Sequence, residues 1–123
     1  MTERGSGKTT RQVERAINTL RSGWSVLFIC PTDHEISYTS EIGMIGGELV
    51  RTRNKNILEH PKTGGRIIFT SYNNNPDRYE GISKLVVVVD HAARLPDSPY
   101  TSHWCDFIRR VQERNVIMER NCE

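Results

Sequence analysis

Two short segments of this chain carry residue types that could do chemistry together. The first is Gly5-Ser6-Gly7-Lys8-Thr9-Thr10, and the second is Leu85-Val86-Val87-Val88-Val89-Asp90-His91. The first matches the end of the pattern G-x-x-x-x-G-K-[ST], a loop that cradles phosphate. Its glycines let backbone N–H groups turn inward around phosphate oxygens. A following helix aims its positive end at the same anion. Gly5, Ser6, Gly7, Lys8, Thr9 and Thr10 are thus candidate nucleotide-binding residues. Lys8 would neutralise β- and γ-phosphates, and the Thr9 hydroxyl would hold Mg²⁺. Asp90 closes an apolar run and would bind the same Mg²⁺ through water. Two plainer readings stay open: a flexible Gly-Ser-Gly-Lys tail, and Asp90 as a cap on the segment after it. The pattern's first glycine falls at position 2, which here is Thr2.

These residues need a strand-loop-helix frame, and the spacing of apolar residues supplies one. From Thr10 onward Val13, Ile17 and Leu20 recur at helical spacing, and Gly23 is a good stop. Ser25–Cys30 is an apolar run ending at Pro31, which reads as a strand buried on both faces. Residues 33–42 suit a short helix, broken by Gly43, Gly46 and Gly47. Leu49–Arg53 suits a short strand, and 54–65 is polar and turn-rich. Arg66–Tyr72 reads as a strand, 73–77 as a loop, and Lys84–Asp90 as the strongest strand in the chain. Asp97-Ser98-Pro99 predicts a helix start, with Ser98 as cap and Pro99 at the first helical position. Trp104, Phe107, Ile108 and Val111 form one apolar face, Asn115 ends that helix, and Val116–Met118 forms a last short strand. Strands alternating with helices predict an α/β layered fold in a single domain over 1–123.

Composition narrows the classes. The 123 residues are 36% hydrophobic and 26% charged, a globular profile. A net charge of +2 gives no strong nucleic-acid signal. No apolar run approaches the roughly 18 residues a membrane helix needs, so no membrane is expected. Cys30, Cys105 and Cys122 are scattered, as are His34, His60, His91 and His103. That spacing argues against a disulfide framework or a zinc site and for a reducing cytoplasm. Arg51, Arg53 and Lys55, beside Asn54 and Asn56, form a small basic stretch. It suits either a nucleic-acid contact or a solvated loop.

Together the motifs resemble the ATPase core of phage terminase large subunits, the motors that package viral DNA. More distantly they are similar to the first domain of helicases. The resemblance spans about 5–118. It rests on GSGKTT, Cys30-Pro31-Thr32, the run 64–71, Arg78-Tyr79-Glu80-Gly81 and the segment 86–96. It implies a three-layer, RecA-type P-loop NTPase fold with ATP and Mg²⁺ as ligands, a host-cytoplasmic setting and DNA as a possible partner. The two segments correspond to the Walker A and Walker B motifs. His91 stands where the family places its catalytic glutamate, and Arg4 is a candidate phosphate contact by position alone. The implied sheet order is 5-1-4-3-2, counted from the strand that feeds the loop. Residues 25–30 are then second, 84–90 third and 116–119 fourth, with 66–72 beyond the second. The first and fifth strands are expected to be missing, leaving a partial parallel sheet. Its open edge at 116–118 invites a second copy or another protein. The implied function is nucleotide binding with weak or absent hydrolysis. The alternatives are a non-catalytic remnant acting as an interaction module, and a nucleic-acid-binding module.

Overall fold

The structure, a computed structural model, describes residues 7–90, 93 and 99–122, with side chains described up to Arg114. Its elements run α1 (Lys8–Arg21), β1 (Ser25–Cys30), α2 (His34–Met44), β2 (Val50–Arg51), β3 (Ile57–Glu59), β4 (Arg66–Ser71), β5 (Leu85–Val89) and α3 (Thr101–Cys122). A 3-10 helix, Pro76–Tyr79, lies between β4 and β5. The fold is α/β around one five-stranded mixed sheet, ordered β2-β3-β4-β1-β5. β1 pairs in parallel with β4 on one side and β5 on the other, while β2 and β3 pair antiparallel.

The apolar run Val26–Cys30 is fully buried, as a strand covered on both faces requires. Alternate residues go to opposite sides. Val26, Phe28 and Cys30 meet Val13, Ala16 and Leu20 of α1 and Ile36 of α2. Leu27 and Ile29 meet Trp104, Phe107 and Val111 of α3. Helices therefore cover both faces. Burying each of these large side chains contributes about 1.5–3 kcal/mol before ordering costs.

Several expectations need correction. The segment 116–118 is helical, because α3 runs on to Cys122. No glycine or proline follows Pro99 to break it, and three apolar residues are too short a run to override a helix already propagating. The proposed strand, and with it the pairing edge at Val116–Met118, is absent. Among the described residues the edge strands are β2, paired only with β3, and β5, paired only with β1. β3 falls inside the stretch expected to be turn, since a three-residue strand carries almost no periodic signal. α3 starts at Thr101 rather than Pro99, with the Trp104 N–H donating to the Tyr100 carbonyl. The proposed cap, Ser98, lies outside the described residues. The order β4-β1-β5 does place 25–30 between 66–72 and 84–90, as anticipated.

Between α1 and β4 the chain passes close to itself. A Cβ on Gly65 would lie 2.5 Å from the Trp24 carbonyl oxygen and 2.9 Å from that of Leu20. Both are backbone atoms and cannot swing aside. Gly65→Ala is therefore expected to cost about 1–3 kcal/mol by chemical denaturation. Gly46→Ala, where a Cβ meets nothing within 4 Å, serves as the control.

Arg21 at the end of α1 forks onto Glu48 with two 2.7 Å hydrogen bonds, and Glu48 also meets Nε2 of the buried His60 at 2.7 Å. The Arg21 and His60 contacts hold the Glu48 carboxyl well down, from 4.5 to about 2. A carboxyl depressed in the folded state stabilises above its unfolded pKa, and that contribution fades as pH falls toward its folded value. Thermal melts of wild type and Glu48→Gln should differ most above pH 4.5 and converge as pH falls toward about 2.

Candidate functional site

The site is built where the first turn of α1 meets the end of β5. Gly7, the residue before α1, has φ 75° and ψ 9°, a left-handed conformation that glycine adopts without strain. Its carbonyl accepts from the Arg11 N–H at 3.0 Å, which starts the helix. No side chain caps this end, and the first turn carries no acidic residue. It carries Lys8 and Arg11 instead. Cations at the positive end of a helix are unfavourable alone and become favourable when an anion sits between them.

Thr9 projects onto the sheet. Its hydroxyl donates to Oδ2 of Asp90 at 3.1 Å, joining residues far apart in the chain. One turn on, Gln12 donates from Nε2 to the Val89 carbonyl at 2.9 Å. Residues three apart share a helix face, so α1 holds the tip of β5 with two side chains. Asp90 is buried, continues the ladder through its N–H to the Ile29 carbonyl, and accepts from the Ala93 N–H. Its carboxylate and the Thr9 hydroxyl are hard oxygen ligands side by side. Among the described residues no group of three or more His, Cys, Asp or Glu could hold a metal ion. A Thr–Asp pair suits Mg²⁺, which is usually held by one or two carboxylates together with water and substrate phosphates.

The parallel strands β1, β4 and β5 all end on this side, and open α/β sheets bind ligands beyond such carboxyl ends. A polar network extends the rim. Ser71, at the end of β4, donates to Oδ1 of Asp33 at 2.5 Å, and Asn74 donates to the same oxygen at 3.3 Å. The Asn74 amide also donates to Thr70 Oγ1, which accepts from the Tyr79 hydroxyl. The loop carrying these groups is pinned from below by the buried Trp104. Its indole N–H donates to the Tyr72 and Asn74 carbonyls at 3.1 and 2.8 Å. Cys30 ends β1 in the same region. Burial, with the Asp90 carboxylate adding, pushes its thiol up to about 12 against an opposing hydrogen bond from Thr39. It is a protonated core residue at neutral pH.

Of the residues proposed from sequence, Thr9 and Asp90 come together, with Gly7 and Lys8 adjoining them on the chain. Thr10 is exposed and lines the groove between α1 and α2. Gly5, Ser6, Arg4 and His91 lie outside the described residues. Gln12 and the Asp33–Ser71–Asn74 network went unnoticed in the sequence. Gln12 had a usable signal, since it sits three residues after Thr9 on the same helix face.

A double-mutant cycle tests the joint. Thr9→Val and Asp90→Ala, alone and combined, should show an interaction energy of about 1–2 kcal/mol in unfolding experiments. Simple additivity would mean that the hydroxyl and carboxylate do not interact. No protein-family model, curated protein or solved structure matches this chain.

Proposed function

We propose that this chain is a nucleoside-triphosphate-binding protein of the P-loop type, akin to the ATPases that package viral DNA, with weak or absent hydrolysis. The observation that carries the reading is the 3.1 Å hydrogen bond from Thr9 to Asp90. It joins the two halves of a magnesium–phosphate site, each of which is a weaker signal alone. The left-handed Gly7, the uncapped and cationic first turn of α1 and the strand ends beside it support the same reading.

In this reading the α1 N-terminus and Lys8 hold the phosphates, while Thr9 and the Asp90 carboxylate hold Mg²⁺, which spreads the charge on the β- and γ-oxygens. Turnover requires a group to orient the attacking water. The resemblance places a glutamate where this chain has His91. A neutral imidazole orients water but is a poorer base than a carboxylate beside a metal, so binding outlasts chemistry. An interaction module without turnover is the second reading. The open side of β5 favours it, since unpaired strand edges accept strands from other chains.

Calorimetric titration with ATP and Mg²⁺ tests the proposal. Saturable binding is expected, weakened about ten- to hundredfold in Lys8→Ala, as expected for losing a charge-assisted contact. His91→Glu should raise the rate of phosphate release in the nucleotide-bound protein. Absence of binding at saturating nucleotide would leave the interaction-module reading.

A further inference from the structure

A second cleft lies on the α3 side of the sheet. α3 packs against β5 and the 3-10 helix at one end of that face. Along β3 and β4 a cavity of about 440 Å³ remains. That volume lies within the ~300–1,000 Å³ range of small-molecule sites. Ile57, Ile68 and Ile82 form an apolar floor, and Ile57 and Ile82 are only half-buried. Asn54, Asn56, Arg66, Asn74 and Arg78 supply the polar walls. Thr9 and Asp90 do not line it.

Part of the polar wall is already spent. Arg66 pairs with Glu59, the Asn74 amide donates to Asp33 and Thr70, and the Tyr79 hydroxyl donates to Thr70. Among the described residues, neither the Arg78 guanidinium nor the Asn56 carboxamide has a hydrogen-bond or ion-pair partner. Asn54 accepts from the Asn56 N–H with its carbonyl oxygen, and its amide end is unspent. The unspent groups are thus one cation and two neutral amides above an aliphatic floor. The surrounding charge is positive. Arg53 and Lys55 are exposed on the turn that carries Asn54 and Asn56. Of the carboxylates in 51–59 and 76–82, Glu59 is taken by Arg66 and Glu80 by Arg110, which leaves Asp77.

We infer that this cleft binds a small aliphatic carboxylic acid in its anionic form. The planar fork of a guanidinium fits a carboxylate, and the single Arg78 matches a single negative charge. The Asn54 and Asn56 amides suit a second oxygen close to that carboxylate, such as a 2-oxo or 2-hydroxy acid carries. The isoleucines take the hydrocarbon body. An amino acid would bring an ammonium into a positive surround, so the cleft selects acids without an amino group. None of the residues invoked belongs to the Thr9–Asp90 joint, and the inference does not depend on the nucleotide-binding proposal.

Titration of the full chain with 4-methyl-2-oxopentanoate, followed through backbone amide NMR shifts, tests the inference. Saturable shifts are expected in 54–57 and 78–82, the segments that line the cleft. Pyruvate has the same head and almost no hydrocarbon. It should bind about tenfold more weakly, since each buried methylene is worth roughly fourfold. Leucine, with an amino group in place of the oxo group, should also bind more weakly. Arg78→Ala should lower affinity about tenfold and Asn56→Ala about fivefold, as for losing a charged and a neutral hydrogen bond. Arg78 and Asn56 are exposed, so both variants should melt as wild type does. The inference is overturned if no site saturates, if the shifts are confined to 7–10 at the start of α1, if pyruvate or leucine binds as tightly, or if either variant binds as wild type.

Discussion

Strand β1 has no side facing water and no edge left open. β4 and β5 take its two edges, and α1, α2 and α3 take its faces. The elements that touch it are placed by that requirement. The register sets Cys30 level with Ser71 and Ile29 level with Val89, so three parallel strands end together. A shift of one residue in β1 would exchange its two apolar sets and strip both helical layers of their partners. The polar groups at the strand ends are therefore aligned by hydrophobic packing along the strands that lead to them.

On that frame α1 serves two purposes with two parts of its surface. Val13, Ala16 and Leu20 anchor it in the core, while Thr9 and Gln12 reach the tip of β5. Its first turn is built against its own interest as a helix, with no capping side chain and no acidic residue of its own, so that the carboxylate beside it is Asp90 of the sheet. Such local inconsistency, inside an otherwise well-packed element, is characteristic of places where something other than folding has set the residues. At the other end the same helix is conventionally made. Arg21 lies in the last turn, and Gly23, at φ 92°, closes it by donating to the Leu20 carbonyl.

The sequence was legible where one residue pattern carries one meaning. Five apolar residues ending at Asp90 read as a strand and form one, although β5 lies at an edge of the sheet with Val86 to Val89 only partly buried, and the spacing after Thr10 reads as the helix α1. Their meeting at Thr9 and Asp90 followed from motif order alone. Short or two-sided signals were opaque. Val116-Ile117-Met118 is β-forming as a tripeptide and helical in context. β3 is too brief to show a period, and its partner Ile68 supplies much of the reason it exists. The Asp33–Ser71–Asn74 network joins a loop after β1 to one after β4, so no window along the chain contains it. Only the parallel pairing of β1 with β4 brings its members together.

Strand β5 is bonded along one side only, and sheets open first at such positions. Here the free end is clasped by Thr9 and Gln12, both within the first two turns of α1. The fraying of that helix end and the detachment of the strand are thus one motion rather than two. Whatever orders the start of α1 also raises the free energy needed to peel β5 away, and the amide hydrogens of Val86 and Val88 are where that would be felt. In this protein the rate at which one edge strand exchanges its hydrogens with water is a gauge of occupancy on the far side of a helix turn.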